Sequence, residues 1–274
     1  MEAEVVSRIT PRSPGLRFEG IPRRWFRGSA AMSHIANGVN LLFPAGERFF
    51  VRSVRHYLPR VTDERLRADV RGFFGQEGRH AREHERFFEI MRAQGFDIDG
   101  FLETYQRVAF ERMERMSPAA LNLSVTVALE HFTAVLADNA LSDGGLDEAD
   151  PRMRRLLLWH AAEEIEHKAV AFDVLRAVHP SYALRMTGLG VATVALGIAW
   201  VLAVRMLVRQ DGTIDRVAMK RELARVRRER QIGRNVFWRG IREYVRPDFH
   251  PDDRDNYALA ASYLARMARE AVAA

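Results

Sequence analysis

The chain has 274 residues, no cysteine and a formal net charge of +6 at pH 7. It is long enough to bury a substantial core, and the lack of cysteine excludes disulfides, thiolate metal sites, iron–sulfur clusters and cysteine nucleophiles. Any metal must be held by nitrogen and oxygen. The charge is concentrated in residues 205–246, where 13 Lys plus Arg face 5 Asp plus Glu, a local balance of +8; this reads as one basic region near the C-terminus and argues against a nucleic-acid-binding coat.

Residues 1–28 contain Pro11, Pro14 and Pro22, little periodicity and no apolar leader. They read as an extended arm pinned by Trp25 and Phe26, on a cytoplasmic protein. A helical pattern runs from residue 29 to about 58, with a break or kink expected at Phe43-Pro44 because the residue before a proline is pushed out of helical geometry. Glu47 follows one turn later; taken alone, an ion pair with Arg48 or Arg52 in solvent accounts for it. Asp63 is a good N-cap for a helix reaching Ala93 and closed by Gly95. On it, Glu77, His80 and His84 fall in a stripe about 60° wide, between the bulky Phe73, Phe74, Phe87 and Phe88.

Residues 101–116 read as a connecting helix, and Ser117-Pro118 starts the next, which runs to about residue 141. That helix is almost wholly apolar, with Glu130 at its middle. An unpaired ionised carboxylate there costs on the order of several kcal/mol, so Glu130 requires a partner, a shifted pKa or a metal. His131 points about 100° away and reads as a hydrogen-bonded core or supporting group. After a loop at residues 142–145, Asp150-Pro151 begins a helix expected to continue to His179-Pro180. It carries His160, Glu164 and His167 in a second stripe, also about 60° wide.

Four helices thus deliver, in order, Glu47, then Glu77 and His80, then Glu130, then Glu164 and His167. One Glu from each of two helices and a Glu-x-x-His from each of the other two is the ligand set of ferritin-like dinuclear carboxylate bundles. The expected fold is therefore all-α: a ferritin-like four-helix bundle over 29–180, an N-terminal arm over 1–28, an apolar helix over 181–210 and a basic helical region over 211–274. Two metal ions are expected, iron first, with manganese or zinc also compatible with nitrogen and oxygen donors. Residues 186–204 hold 19 positions without a charge, close to the length of a membrane span. They leave three readings open: a span, a membrane-surface helix, and a buried helix packed through Gly188, Gly190 and Gly197, which is favoured. Residues 214–245 read as one or two Arg-rich amphipathic helices and 252–273 as a short final helix.

The segments FPAGERFF, QEGRHAREH, ALEHFTA and WHAAEEIEHKAVAFDV resemble the bacterial family of predicted metal-dependent hydrolases, over about residues 25–245. The pattern His160-x-x-x-Glu164-x-x-His167 is also similar to that of the di-iron arylamine N-oxygenases, ferritin-like enzymes in which a third histidine joins six ligands. That resemblance implies His160 as the additional ligand. It does not require His84, which becomes a further ligand, a supporting donor or, as taken here, a catalytic group. An oxidative reading, in which a di-iron centre uses dioxygen on a small organic or lipid-like substrate, is preferred to metal-dependent hydrolysis and to metal storage, because the site is expected to be buried and rich in carboxylate. An electron donor, membrane-surface contact and a homodimer are compatible with this reading.

Overall fold

The computed structural model describes residue 7, residues 9–230 and residues 237–273, and among these it is all-α, with one isolated bridge between Phe26 and Ala149. Helix α1 (Ala30–Asn40) begins at Ser29, whose hydroxyl accepts from the Met32 amide. It stops before α2 (Phe43–Tyr57), so the expected interruption at Phe43-Pro44 is a break, with proline in the first turn of the new helix, where its missing N–H costs nothing. Helix α3 (Glu64–Ala93) is capped by Asp63, whose carboxylate accepts from the Arg65 and Leu66 amides. It ends at Gly95, which takes the left-handed φ of +85°.

The connecting segment is α4 (Asp99–Tyr105), a π-helical stretch over Gln106–Met113 and α5 (Glu114–Met116). It leads to α6 (Ala119–Ser142) and then α7 (Pro151–His167), capped by Asp150. The helices that carry the predicted acids pack in a closed ring: α2 against α3 and α6, α7 against α6 and α3. Each therefore turns one side toward a shared interior.

The single helix expected from 151 to 179 is in fact two, α7 and α8 (Val170–Val178), broken just after His167. No glycine or proline marks the break. Lys168 is buried there, and its ammonium donates to the Arg254 carbonyl and to Asn256 Oδ1. The break coincides with a tertiary contact to the distant C-terminal segment, which no local pattern encodes.

Helix α9 (Tyr182–Gln210) contains the uncharged stretch and lies against α6 and α1. The favoured buried reading holds for one side only. Arg185, Gly188, Leu189, Ala192, Ala203 and Leu207 are buried, while Val194, Ile198, Val201 and Leu202 are exposed. Gly188 allows the contact with α6, since a Cβ there would run into the Ser124 backbone and hydroxyl, and Ser124 Oγ donates to the Leu184 carbonyl. Helices α10 (Arg216–Arg230), α11 (Arg239–Tyr244) and α12 (Tyr257–Ala273) complete the chain, α12 packing on α7. Part of the expected helical region 214–245, residues 231–236, lies outside the described residues.

The N-terminal arm is built into the packing. Trp25 and Phe26 are buried, and Trp25 Nε1 donates to Asn37 Oδ1. Ile9 and Pro11 lie against Gly72 and Gly75 of α3, where any Cβ would collide with them. Two glycines of α9 test this description. Gly188→Ala should cost about 1–3 kcal/mol by overpacking. Gly190→Ala, with open space around it, should gain about 0.5–1 kcal/mol from helix propensity. Urea unfolding followed by circular dichroism checks both.

Candidate metal centre

The ring of helices encloses every donor named from the sequence. Glu47, Glu77, Glu130, Glu164, His80, His84, His160 and His167 are each at most 3% exposed. The solvent ion pair that Glu47 alone suggested is absent, because Arg48 pairs with Glu85 and Arg52 with Glu114. Glu47 points inward instead.

The donors meet in overlapping triads whose ligand atoms lie within 4.8 Å of one another. Two of them share no residue: Glu77 with Glu164 and His167, and Glu47 with His84 and His160. His80 lies between them, grouped with Glu47 and Glu77 on one side and with His160 and Glu164 on the other. Glu130 Oε2 completes the first pole, 3.5 Å from His167 Nε2, while Glu77 Oε1 is 3.1 Å from the same nitrogen. At the second pole His160 Nε2 lies 2.9 Å from Glu164 Oε1 and 3.6 Å from Glu47 Oε1. His84 Nε2 is 2.7 Å from His160 Nδ1.

Ten of these donor atoms are buried without a hydrogen bond: both carboxylate oxygens of Glu47, Glu77 and Glu130, Glu164 Oε2, His80 Nδ1, His84 Nδ1 and His167 Nε2. Native interiors rarely leave such atoms unsatisfied. Ten in one cluster fit cation ligation, and the charge fits too, since four carboxylates carry −4 and two divalent cations would supply +4.

The electrostatics follow from enclosure. Burial, reinforced by Glu77, Glu164 and Glu130, raises Glu47 well above the usual carboxylate range. Burial does the same to Glu130 and, less strongly, to Glu77, where His167 opposes it. Glu164 is also pushed up by burial, but His167, His160 and His80 outweigh that and hold it well below its ordinary value. Burial works against a charge on His80, yet the hydrogen bond with Glu163 and the close carboxylates of Glu164 and Glu77 raise it to about 9. His167 is raised through Glu164 and Glu77 despite the same burial penalty. His160 is lowered to about 4 by burial and by His80, and His84 is lowered well below its ordinary value by burial and by His160. Without a cation, the groups whose proton affinity is raised, Glu47, Glu130, His80 and His167, are the ones that offset the charge.

An outer layer, not identified from the sequence, orients the imidazoles. His80 Nε2 lies 3.1 Å from Glu163 Oε2, leaving Nδ1 to face Glu164. His167 Nδ1 donates to Gln76 Oε1, and Gln76 Nε2 donates to Glu166 Oε2. Arg12, from the arm, ion-pairs with Glu166 and reaches Glu163. Trp159 packs against the His80 ring, and Phe43 against His84 and His160. Gln76 precedes Glu77 in sequence and Glu163 precedes Glu164; that adjacency was the available signal, but neighbours in a helix point about 100° apart, so only the packing shows that they serve the same site. His131 is a supporting core group, as expected: its Nε2 is 2.8 Å from the Gly240 carbonyl.

Substituting Glu163→Gln preserves the contact with His80 but removes the charge that polarises it. Metal affinity should fall about 10–100-fold, measured by competition with a chromophoric chelator. Stability should also respond to pH once metal is stripped. The raised Glu47 and Glu130 and the raised His80 and His167 all bind protons better in the folded than in the unfolded chain. Their stabilisation is therefore lost as pH rises, for His80 through about 9. His84 and His160, depressed by folding, are neutral in both states above their ordinary range and add no slope there. Chelator-treated protein should melt progressively lower from about pH 7 to about pH 9, and metal-loaded protein should change less; a flat profile for the stripped form would refute this charge balance.

No curated protein and no solved structure matches the chain. The model of a family described as predicted metal-dependent hydrolases matches residues 10–255. That span includes the helices that bring every donor together, together with Arg12 of the arm, and the chain belongs to this family of predicted metal-dependent hydrolases.

Proposed function

We propose that the protein is a metalloenzyme that holds two metal ions among Glu47, Glu77, His80, Glu130, His160, Glu164 and His167, in a ferritin-like helical bundle. The observation that carries this reading is the cluster of ten buried donor atoms without hydrogen bonds, beside overlapping triads in which Glu47, Glu77, His80, His160, Glu164 and His167 bring their ligand atoms within 4.8 Å of one another. Four carboxylates and several imidazoles suit iron or manganese and accommodate zinc.

Bound there, such ions supply Lewis acidity that activates water, and if they are iron they also supply redox equivalents. Family membership supports the hydrolytic chemistry. In that reading Glu77, Glu130, Glu164 and His167 would hold one ion, and Glu47 and His160 would hold the other with His80 between. His84, driven toward its neutral form by burial and by His160, meets His160 Nδ1 at 2.7 Å. From there it would accept or return a proton beside the second pole, and that contact supports a catalytic role for it. Phe43 and Trp159 would exclude water from the imidazoles.

Enclosure favours a second reading, the oxidation of a small organic or lipid-like substrate with dioxygen. All donors are at most 3% exposed, which suits a small apolar co-reactant better than a bulky polar hydrolytic substrate. One set of measurements separates the two. Purified protein should carry about two ions per chain, and Glu130→Ala and Glu164→Ala should each lose metal. Glu148→Ala, whose side chain pairs with Arg27 away from the cluster, should keep it. Zinc or manganese with cleavage of chromogenic esters and no oxygen consumption supports hydrolysis. Iron whose reduced form consumes oxygen supports oxidation, and protein isolated without stoichiometric metal would sink both.

A further inference from the structure

Helix α9 is clamped to the protein along one side and bare along the other. Its inner side is fixed by the close approach of Gly188 to Ser124 and by Trp200, whose Nε1 donates to the Ile35 carbonyl. On the outer side Val194, Ile198, Val201 and Leu202 are 62%, 57%, 57% and 53% exposed. At 100° per residue these four fall within about 100° of one another, with Gly190 and Gly197 exposed beside them. Single exposed aliphatics are ordinary, but a contiguous strip of four is not.

The same face changes character at its C-terminal end. Arg205 and Arg209 are exposed one and two turns beyond Val201 and Leu202. Helix α10 follows after a short turn and exposes Val217, Lys220, Arg221 and Arg228, within the segment 205–246 that carries the balance of +8. The chain is again at α9 by Phe237, whose ring lies tilted against Trp200 with centroids 6.0 Å apart, and the adjoining Trp238 is 58% exposed. An aliphatic strip, a tryptophan and a concentration of arginine are the parts of a helix that lies in a lipid interface with its cationic groups at the phosphates.

We propose that the outer face of α9, with Trp238 and the basic α10, rests on an anionic lipid surface. By length and composition alone α9 could cross a membrane, but its exposed aliphatic strip runs only from residue 194 to 202, about 12 Å of helix. The opposite face is already committed to α6 and α1, so contact is in the plane of the surface. A second copy of the chain is the less favourable occupant, because joining two α9 faces brings two strongly basic segments together.

The test uses full-length, metal-loaded protein sedimented with vesicles of phosphatidylcholine alone or mixed with phosphatidylglycerol. Wild type should pellet with the mixed vesicles, and less so as salt is raised. Ile198→Gln with Leu202→Gln should reduce partitioning by at least about tenfold. Lys220→Gln with Arg221→Gln and Arg228→Gln should remove the preference for the anionic lipid. Retained metal content and helicity show that the variants fold. Independently of any apolar substitution, wild-type fluorescence should shift to the blue on adding mixed vesicles, and Trp238→Phe should abolish the shift. Wild type that fails to pellet, or pelleting unchanged in the apolar double variant, overturns the proposal. So does a dimer in sedimentation velocity that this double variant dissociates while wild type ignores vesicles.

Discussion

The interior of this protein is governed by the mutual repulsion of Glu47, Glu77, Glu130 and Glu164, brought together where water does not reach. Leaving even one buried carboxylate unpaired costs on the order of several kcal/mol, and a domain is stable by only about 5–15 kcal/mol in total. Four ionised together are incompatible with a folded chain unless positive charge sits among them. The acids push His80 and His167 toward their charged forms, while His84 and His160 are driven the opposite way.

The surrounding layer makes sense on the same terms. Glu163 and Gln76 fix which nitrogen of His80 and of His167 faces the acids. Arg12 then offsets the additional negative charge that Glu163 and Glu166 introduce. The arm therefore does more than cover apolar surface. It places a cation behind the histidines, and Gly72 and Gly75 admit Ile9 and Pro11 closely enough against α3 to hold it there.

Much of this was legible in the sequence because helical spacing is a local rule. Glu77, His80 and His84 share a stripe, as do His160, Glu164 and His167, by arithmetic on positions alone, and the Ser29, Asp63 and Asp150 caps lie where their side chains require. Glu47 and Glu130 were legible only as anomalies, an acid after a helix break and an acid in an apolar helix. The break after His167 was not legible, since Lys168 is held by the backbone of residue 254 and the side chain of Asn256, almost ninety positions away. The partial exposure of α9 was hidden for a related reason: an uncharged helix has the same composition whether one side or every side is covered. Arg12 was hidden because an arginine in a proline-rich arm looks like every other solvated arginine until its partners are in place.

The apolar character of α6 then acquires a cause. Ser124 and Thr126, about 200° apart around the helix, face different neighbours: Ser124 bonds to the Leu184 carbonyl of α9, and Thr126 to Ser53 of α2. A helix covered on opposite sides has no solvated face to supply with charges, so the residues of α6 are apolar nearly all round. Glu130, in the middle of that helix, is tolerated because it turns toward His167 and the other acids. Helix α9, in contrast, is covered on one side only and is nonetheless uncharged over 19 positions. Packing against α6 and α1 accounts for half of that pattern. The remaining half is exposed, and α6 packs both on α9 and on the donor-bearing helices α2 and α7.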